Sequence, residues 1–222
     1  MQQDETIIVK VQLDEKQRNR YIIFFEHAEP INVHVDTIVK YRLTKGSEVS
    51  LSFLEEIIRA DEQHKAYIQA LTYLQRKPRT RMEMTKYLQK KEYDDETIPI
   101  VLDRLEREWL VDDAAYAEQW AEQRITRHSK GSRWVRHELK QKGVKENHIR
   151  AAMDSIAPEQ EWESAVGAAT KKWRQTRGET HIRKYKVAAY LARRGFSSEM
   201  SRKAAQLVAD ESVRNDQGEE TW

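Results

Sequence analysis

The sequence predicts a mainly α-helical protein: three tandem three-helix repeats in an elongated, curved array, preceded by a small β-rich N-terminal region. Three observations carry this. Breakers are few, seven Gly and four Pro in 222 residues, while charged residues make up 34% and hydrophobic ones 39%. That mixture suits helices with thin cores and a broad solvated surface. Strand-forming runs are confined to the first 60 residues. Beyond them, one helix-terminating motif recurs three times at nearly constant spacing.

The head, residues 1–60, contains Ile7-Ile8-Val9-Lys10-Val11 and Tyr21-Ile22-Ile23-Phe24-Phe25, with a polar turn from Asp14 to Arg20 between them. Ile31-Asn32-Val33-His34-Val35 alternates with period two, the mark of a half-buried strand. Three strands are expected, then a short helix capped by Asp36 and ended by Lys45-Gly46.

The recurring motif is Leu88-Gln-Lys-Lys-Glu-Tyr93, Leu139-Lys-Gln-Lys-Gly-Val144 and Leu191-Ala-Arg-Arg-Gly-Phe196, with leucines 51 and 52 residues apart. Gly143 and Gly195 fit the left-handed position that closes a helix. The leucine four residues before and the apolar residue after would make the hydrophobic contact of a Schellman cap. Glu92 stands where glycine is preferred, so the first cap should be weaker or differently built. Met84, Val135 and Val187 precede the leucines by four and share their helix face. Ala66, Ala70, Leu71 and Leu74 match Ala117, Trp120, Ala121 and Ile125, then Ala165, Ala168, Ala169 and Trp173. Ile98, Val101, Leu102 and Leu105 match Ile149, Ala152, Met153 and Ile156. The spacing predicts helices at 61–76, 80–91 and 95–108, at 113–127, 132–142 and 145–156, and at 159–176, 181–194 and 197–210. The corresponding domains are 61–110, 111–157 and 158–210, with 211–222 a disordered acidic tail. Thr80-x-x-Glu83 reads as a capping box. Asp112-Asp113 reads as a helix start rather than paired catalytic carboxylates.

Net charge is only +2, but its distribution is uneven. Windows 76–91, 124–145 and 171–203 hold 26 of the 39 bases and 4 of the 37 acids, so each middle helix and its entry carries a basic stripe. Such an array can track a polyanion or an acidic groove. The candidate contact residues are Arg79, Arg81, Lys130, Arg133, Trp134, Arg136, Lys140, Lys142, Lys184, Lys186, Arg193 and Arg194. Trp134 aligns with Glu83 and Lys186, which marks its face as exposed. It could stack on a base or anchor a partner, or pack against a neighbouring unit or the head. Trp109, Trp120 and Trp173 fall on apolar faces and are expected in the core.

No catalytic constellation is present. Cysteine is absent, which excludes disulfides, thiolate metal sites and a cysteine nucleophile. The seven histidines show no i, i+4 metal-binding pair and there is no glycine-rich phosphate loop. The expectation is a non-enzyme without cofactor or metal. No apolar run approaches the length of a membrane span and the N-terminus does not read as a signal peptide. A cytoplasmic monomer without membrane contact is expected.

These residues also resemble the RecX family. Leu110-Val-Asp-Asp-Ala-Ala-Tyr-Ala117 and Lys130-Gly-Ser-Arg-Trp-Val-Arg-His-Glu-Leu-Lys-Gln-Lys-Gly-Val144 are similar to two family signatures in order and spacing. Arg79 to Leu88 resembles the first unit and Lys186 to Phe196 the closing one. The strand-rich head resembles the N-terminal extension of Gram-positive members. The sequence departs from the family pattern at Glu92, where Gly or Lys is common, and at Trp134, where a polar residue is usual. The resemblance implies a regulator that binds the RecA recombinase filament on DNA and modulates it in DNA repair and the SOS response, chiefly by inhibiting its ATPase and recombinase activity or by promoting filament disassembly, with single- or double-stranded DNA contacted directly or within the filament. Two alternatives compete: an autonomous helix-turn-helix DNA-binding protein, and a helical scaffold for an acidic protein partner.

Overall fold

The computed structural model describes residues 5–218. Four strands form one antiparallel sheet: β1 (Glu5–Leu13), β2 (Arg20–Phe25), β3 (Ile31–His34) and β4 (Glu48–Ser50), in the order β3-β2-β1-β4. Alternation sends Ile8, Ile23, Phe25, Val33 and Val49 to one side, where Leu43, Leu54 and Ile57 complete the core of the head. The register shifts between Ile8 and Lys10, a bulge in β1. The fourth strand was not expected. It is three residues long, too short to show a period, and exists by pairing with Glu5–Ile7.

Helix α1 (Val35–Tyr41) is capped by His34, whose Nδ1 accepts the Asp36 N–H, and it ends at Arg42 with φ 53°. This corrects the expectation of an Asp36 cap and a stop at Gly46. Helix α2 (Leu51–Leu74) crosses the expected domain boundary at residue 60 without a break. Ser50 caps it, accepting the Phe53 N–H. Leu54 and Ile57 enter the head core, while Ala66, Tyr67 and Ala70 enter the next. Between them, buried Asp61 accepts from the His34 N–H at 2.6 Å, from Thr37 Oγ1 at 3.1 Å and from Arg20 at 2.6 Å. A buried carboxylate needs such partners, and they fasten the middle of α2 to the sheet.

The remaining helices are α3 (Arg81–Lys90), α4 (Thr97–Arg107), α5 (Asp113–Thr126), α6 (Ser132–Gln141), α7 (Glu146–Asp154), α8 (Pro158–Arg174), α9 (Thr180–Arg193) and α10 (Ser198–Gly218). They enclose three separate cores: α2–α4 around Met84 and Leu88, α5–α7 around Val135 and Leu139, and α8–α10 around Val187 and Leu191. Pro158 opens α8 rather than preceding it, at a position whose N–H would be unpaired anyway. Helix α10 runs to Gly218, two turns past the expected end. No Gly or Pro interrupts it before Gly218, and an established helix gains a bond with each added residue. The expected disordered tail is therefore helical over 211–218, and 219–222 lie outside the described residues. Trp109 is 80% exposed instead of core. It follows the end of α4 at φ 58°, where the left-handed turn carries it off the helix's apolar face.

The chain divides into two compact units, one reaching Pro78 together with Met84–Val111, the other Arg79–Glu83 together with the chain from Asp112 onward. Among the described residues, no helix is long and apolar enough to cross a membrane.

Candidate functional site

The second compact unit contains the start of α3 and all of α6 and α9, the middle helices that carry the basic stripes. Two of their junctions are built alike. Thr80 forms the expected capping box: its N–H donates to Glu83 Oε2 and its Oγ1 accepts the Glu83 N–H, both at 3.2 Å. The same hydroxyl donates to the Lys142 carbonyl at 2.7 Å, at the end of α6. One repeat later, the Gly131 N–H donates to the Arg194 carbonyl at 2.9 Å, and the Arg133 N–H to Gly195 O at 3.1 Å. Gly131 is required here. A Cβ on it would lie 2.2 Å from Phe196 N. Gly143 and Gly195 in turn face Met82 and Trp134, each with φ positive as the caps require. The lysine-glycine pair at 130–131 is thus first a packing device.

This construction absorbs part of the basic stripe. Lys142 Nζ lies 2.7 Å from Glu83 Oε1 and 4.5 Å from the Trp120 ring centre. Burial alone would lower the Lys142 pKa, but hydrogen bonds to Glu83 and Tyr116 raise it. Arg194 donates from Nε to Ser129 O at 2.7 Å and from its terminal nitrogen to His128 O. Both side chains answer to internal partners. Lys140 pairs with Glu146 at 2.9 Å in an exposed contact, and Lys184 reaches Gln206 at 3.1 Å. The Arg81 N–H donates to Asp113 Oδ1, and Arg79, Arg81 and Arg136 are half-buried.

Two groups remain presented outward. At the start of α6, Trp134 is 39% exposed, with Lys130 Nζ 3.6 Å from its ring centre and Arg133 exposed beside it. Burial, and after it the charge of Arg194, pushes the Lys130 pKa down. Along α9, Lys186 and Arg193 line an open cleft of about 400 Å³ together with Lys172, Arg177 and the 76% exposed Tyr185. Among the described residues, four cations and no carboxylate line it. Lys172, Arg177 and Tyr185 are not among the residues singled out in the sequence. Their signal was the density of bases in 171–203, but nothing local distinguishes Tyr185 from a core aromatic. A cationic cleft with an exposed ring fits a phosphate backbone whose bases can stack.

The chain matches the family models for the first, second and third three-helix domains of RecX at residues 66–105, 112–153 and 159–204. It is similar to the regulatory protein RecX of Oceanobacillus iheyensis, 30% identical over 197 residues, 86% of this chain and 72% of that protein. The regulatory protein RecX of Limosilactobacillus reuteri is 32% identical over 200 residues, 90% of this chain and 74% of that one. A crystal structure of a regulatory protein RecX has TM-score 0.75 at 30% identity, covering 92% of this chain and 99% of that chain. With three domain models in register and relatives matched over most of their length, the chain belongs to the RecX family.

Proposed function

We propose that this protein is a non-enzymatic regulator of RecA: it binds the RecA–DNA filament and inhibits its ATP hydrolysis and strand exchange. It acts as a cytoplasmic monomer. The observation that carries the reading, beside family membership, is the α9 cleft, where Lys172, Arg177, Lys186 and Arg193 converge around exposed Tyr185. The turn of Lys130, Arg133 and Trp134 is the second contact, and the aromatic ring is its anchor. Among the described residues, no acidic side chain pairs with Lys186 or Arg193, so binding an anion there breaks no ion pair among them. Lys142 and Arg194, tied to Glu83 and to backbone carbonyls, hold the units that present the others.

The test is RecA's ATPase on single-stranded DNA, with and without this protein. Inhibition is expected, weakened when Lys186 and Arg193 are both changed to Ala, and separately in Trp134→Ala. Alanine keeps the Trp134 Cβ and backbone that meet Gly195, so the melting temperature should hardly move. Unchanged ATPase and strand exchange at saturating dose would refute the reading. Sequence-selective duplex binding without RecA would favour the autonomous regulator, and capture of an acidic protein alone the scaffold.

A further inference from the structure

The first compact unit holds a side-chain cluster that the reading above leaves unused. His34 ends β3, Asp36 lies in the first turn of α1, and His64 sits midway along α2. The fold brings them together across thirty residues, which is why no spacing in the sequence marks them. His34 Nδ1 is 3.4 Å from Asp36 Oδ2, and His64 Nε2 is 3.5 Å from the same oxygen. One donor atom from each of the three residues lies within 4.8 Å of the other two. The imidazole rings face each other with centres 4.5 Å apart.

These separations are too long for charge-assisted hydrogen bonds, which settle near about 2.7–2.9 Å. The two histidine–carboxylate separations match another geometry. A tetrahedral ion with N and O ligands at about 2.0–2.2 Å sets its ligands about 3.3–3.5 Å apart. His64 Nε2 is moreover buried and, among the described residues, has no hydrogen-bond partner, a condition that asks for an explanation in a native structure. We propose that His34, Asp36 and His64 form a binding site for a divalent transition-metal ion of the zinc class, with a fourth position open to the adjoining cavity.

The donor set of two imidazoles and one carboxylate, without thiolate, suits such an ion. Asp61 supports it from behind, accepting the His34 N–H while its own charge is matched by Arg20. The His34 Nδ1 lone pair now accepts the Asp36 N–H at 3.2 Å, a long cap bond that the metal bond replaces. The cavity, about 180 Å³, is lined by Asp36 and His64 and by the cations Lys40, Arg104 and Arg107. Arg104 is partly neutralised by Glu108 at 2.8 Å. Two neutral imidazoles and one carboxylate leave a divalent ion with one positive charge. Beside cationic walls, the fourth ligand is therefore hydroxide or another small anion.

The full chain, stripped with a chelator, is titrated with Zn²⁺ by calorimetry and with Co²⁺ by visible absorption. One tight Zn²⁺ per chain is expected, with the intense d–d bands of four-coordinate cobalt. His64→Gln should abolish both. Asp36→Asn, at a largely exposed side chain that can be changed without unfolding, should weaken Zn²⁺ by at least about tenfold, since loss of even an outer-shell partner costs about 10–100-fold. Circular dichroism checks that each variant is folded. Absence of tight binding in the unaltered chain, or binding that survives both substitutions in folded protein, would overturn the assignment.

Discussion

Residues 92, 143 and 195 hold the same left-handed turn with different side chains: φ is 65° at Glu92, 78° at Gly143 and 92° at Gly195. In each, the next N–H returns to the leucine carbonyl: Tyr93 to Leu88 at 3.3 Å, Val144 to Leu139 at 3.1 Å, Phe196 to Leu191 at 3.3 Å. The side chain at Glu92 is tolerated but strained, because Cβ crowds the carbonyl in this region. Glu92→Gly should therefore stabilise the fold by about 0.5–1 kcal/mol, the strain relieved exceeding the entropy added to the unfolded chain. Gly195→Ala should act in the opposite sense. It adds the strain and sets a Cβ 2.5 Å from the Trp134 backbone nitrogen, so a loss of about 1–3 kcal/mol is expected from overpacking. Urea unfolding of the two variants reads both signs, and equal effects would mean that the turns are not equivalent. The turn itself was legible in the leucine, the glycine and the apolar residue after it. The demand on Gly131 was not, because the backbone it must admit, Phe196, lies 65 positions along the chain.

Among the elements, the joint between the start of α3 and the end of α6 depends on charge. Burial alone would raise the Glu83 pKa, but the Lys142 hydrogen bond, the Thr80 N–H and the charges of Lys142 and Arg79 outweigh it and hold the carboxyl below its ordinary range. Lys142 is raised by the same pair. A carboxyl depressed in the folded state adds stability above its unfolded pKa, lost as pH falls through the folded value. An ammonium raised in the folded state adds stability below its unfolded pKa, lost as pH rises through the folded value. The joint is thus strongest at intermediate pH and weakens at both extremes. Melting temperature against pH should show an acid limb that Glu83→Gln flattens and an alkaline limb that Lys142→Met flattens. If both limbs keep their slopes, the pair contributes nothing. Helix positions were legible here, since period and caps are local. The pairing was not, because its members are 59 residues apart. The same distance problem hid Asp61, which reads as one more surface acid on α2 until Arg20, His34 and Thr37 are folded around it.

At the scale of the whole molecule, a net charge of +2 cannot by itself hold a polyanion, so any nucleic-acid affinity must come from where the cations are placed. The sequence marks which helices carry the bases but not which of their side chains are held by internal partners. Lys186 and Arg193 line the α9 cleft, whereas Lys142 and Arg194 are held by internal partners that no local pattern reveals. This division makes the salt dependence diagnostic. Each cation that meets a phosphate on single-stranded DNA releases condensed counterions, and log K falls with log salt at a slope of about −0.7 per contact. Four cleft cations engaged together give a slope near about −2.8. Changing Lys186 and Arg193 to Ala removes two contacts, and the slope should become shallower by about 1.4 on every sequence tested. Lys140→Ala, at an exposed residue already paired with Glu146, should leave the slope nearly unchanged. Binding titrations from low to physiological salt distinguish these outcomes. A slope insensitive to the cleft substitutions, or one that varies with base sequence, would place the anion elsewhere on the molecule.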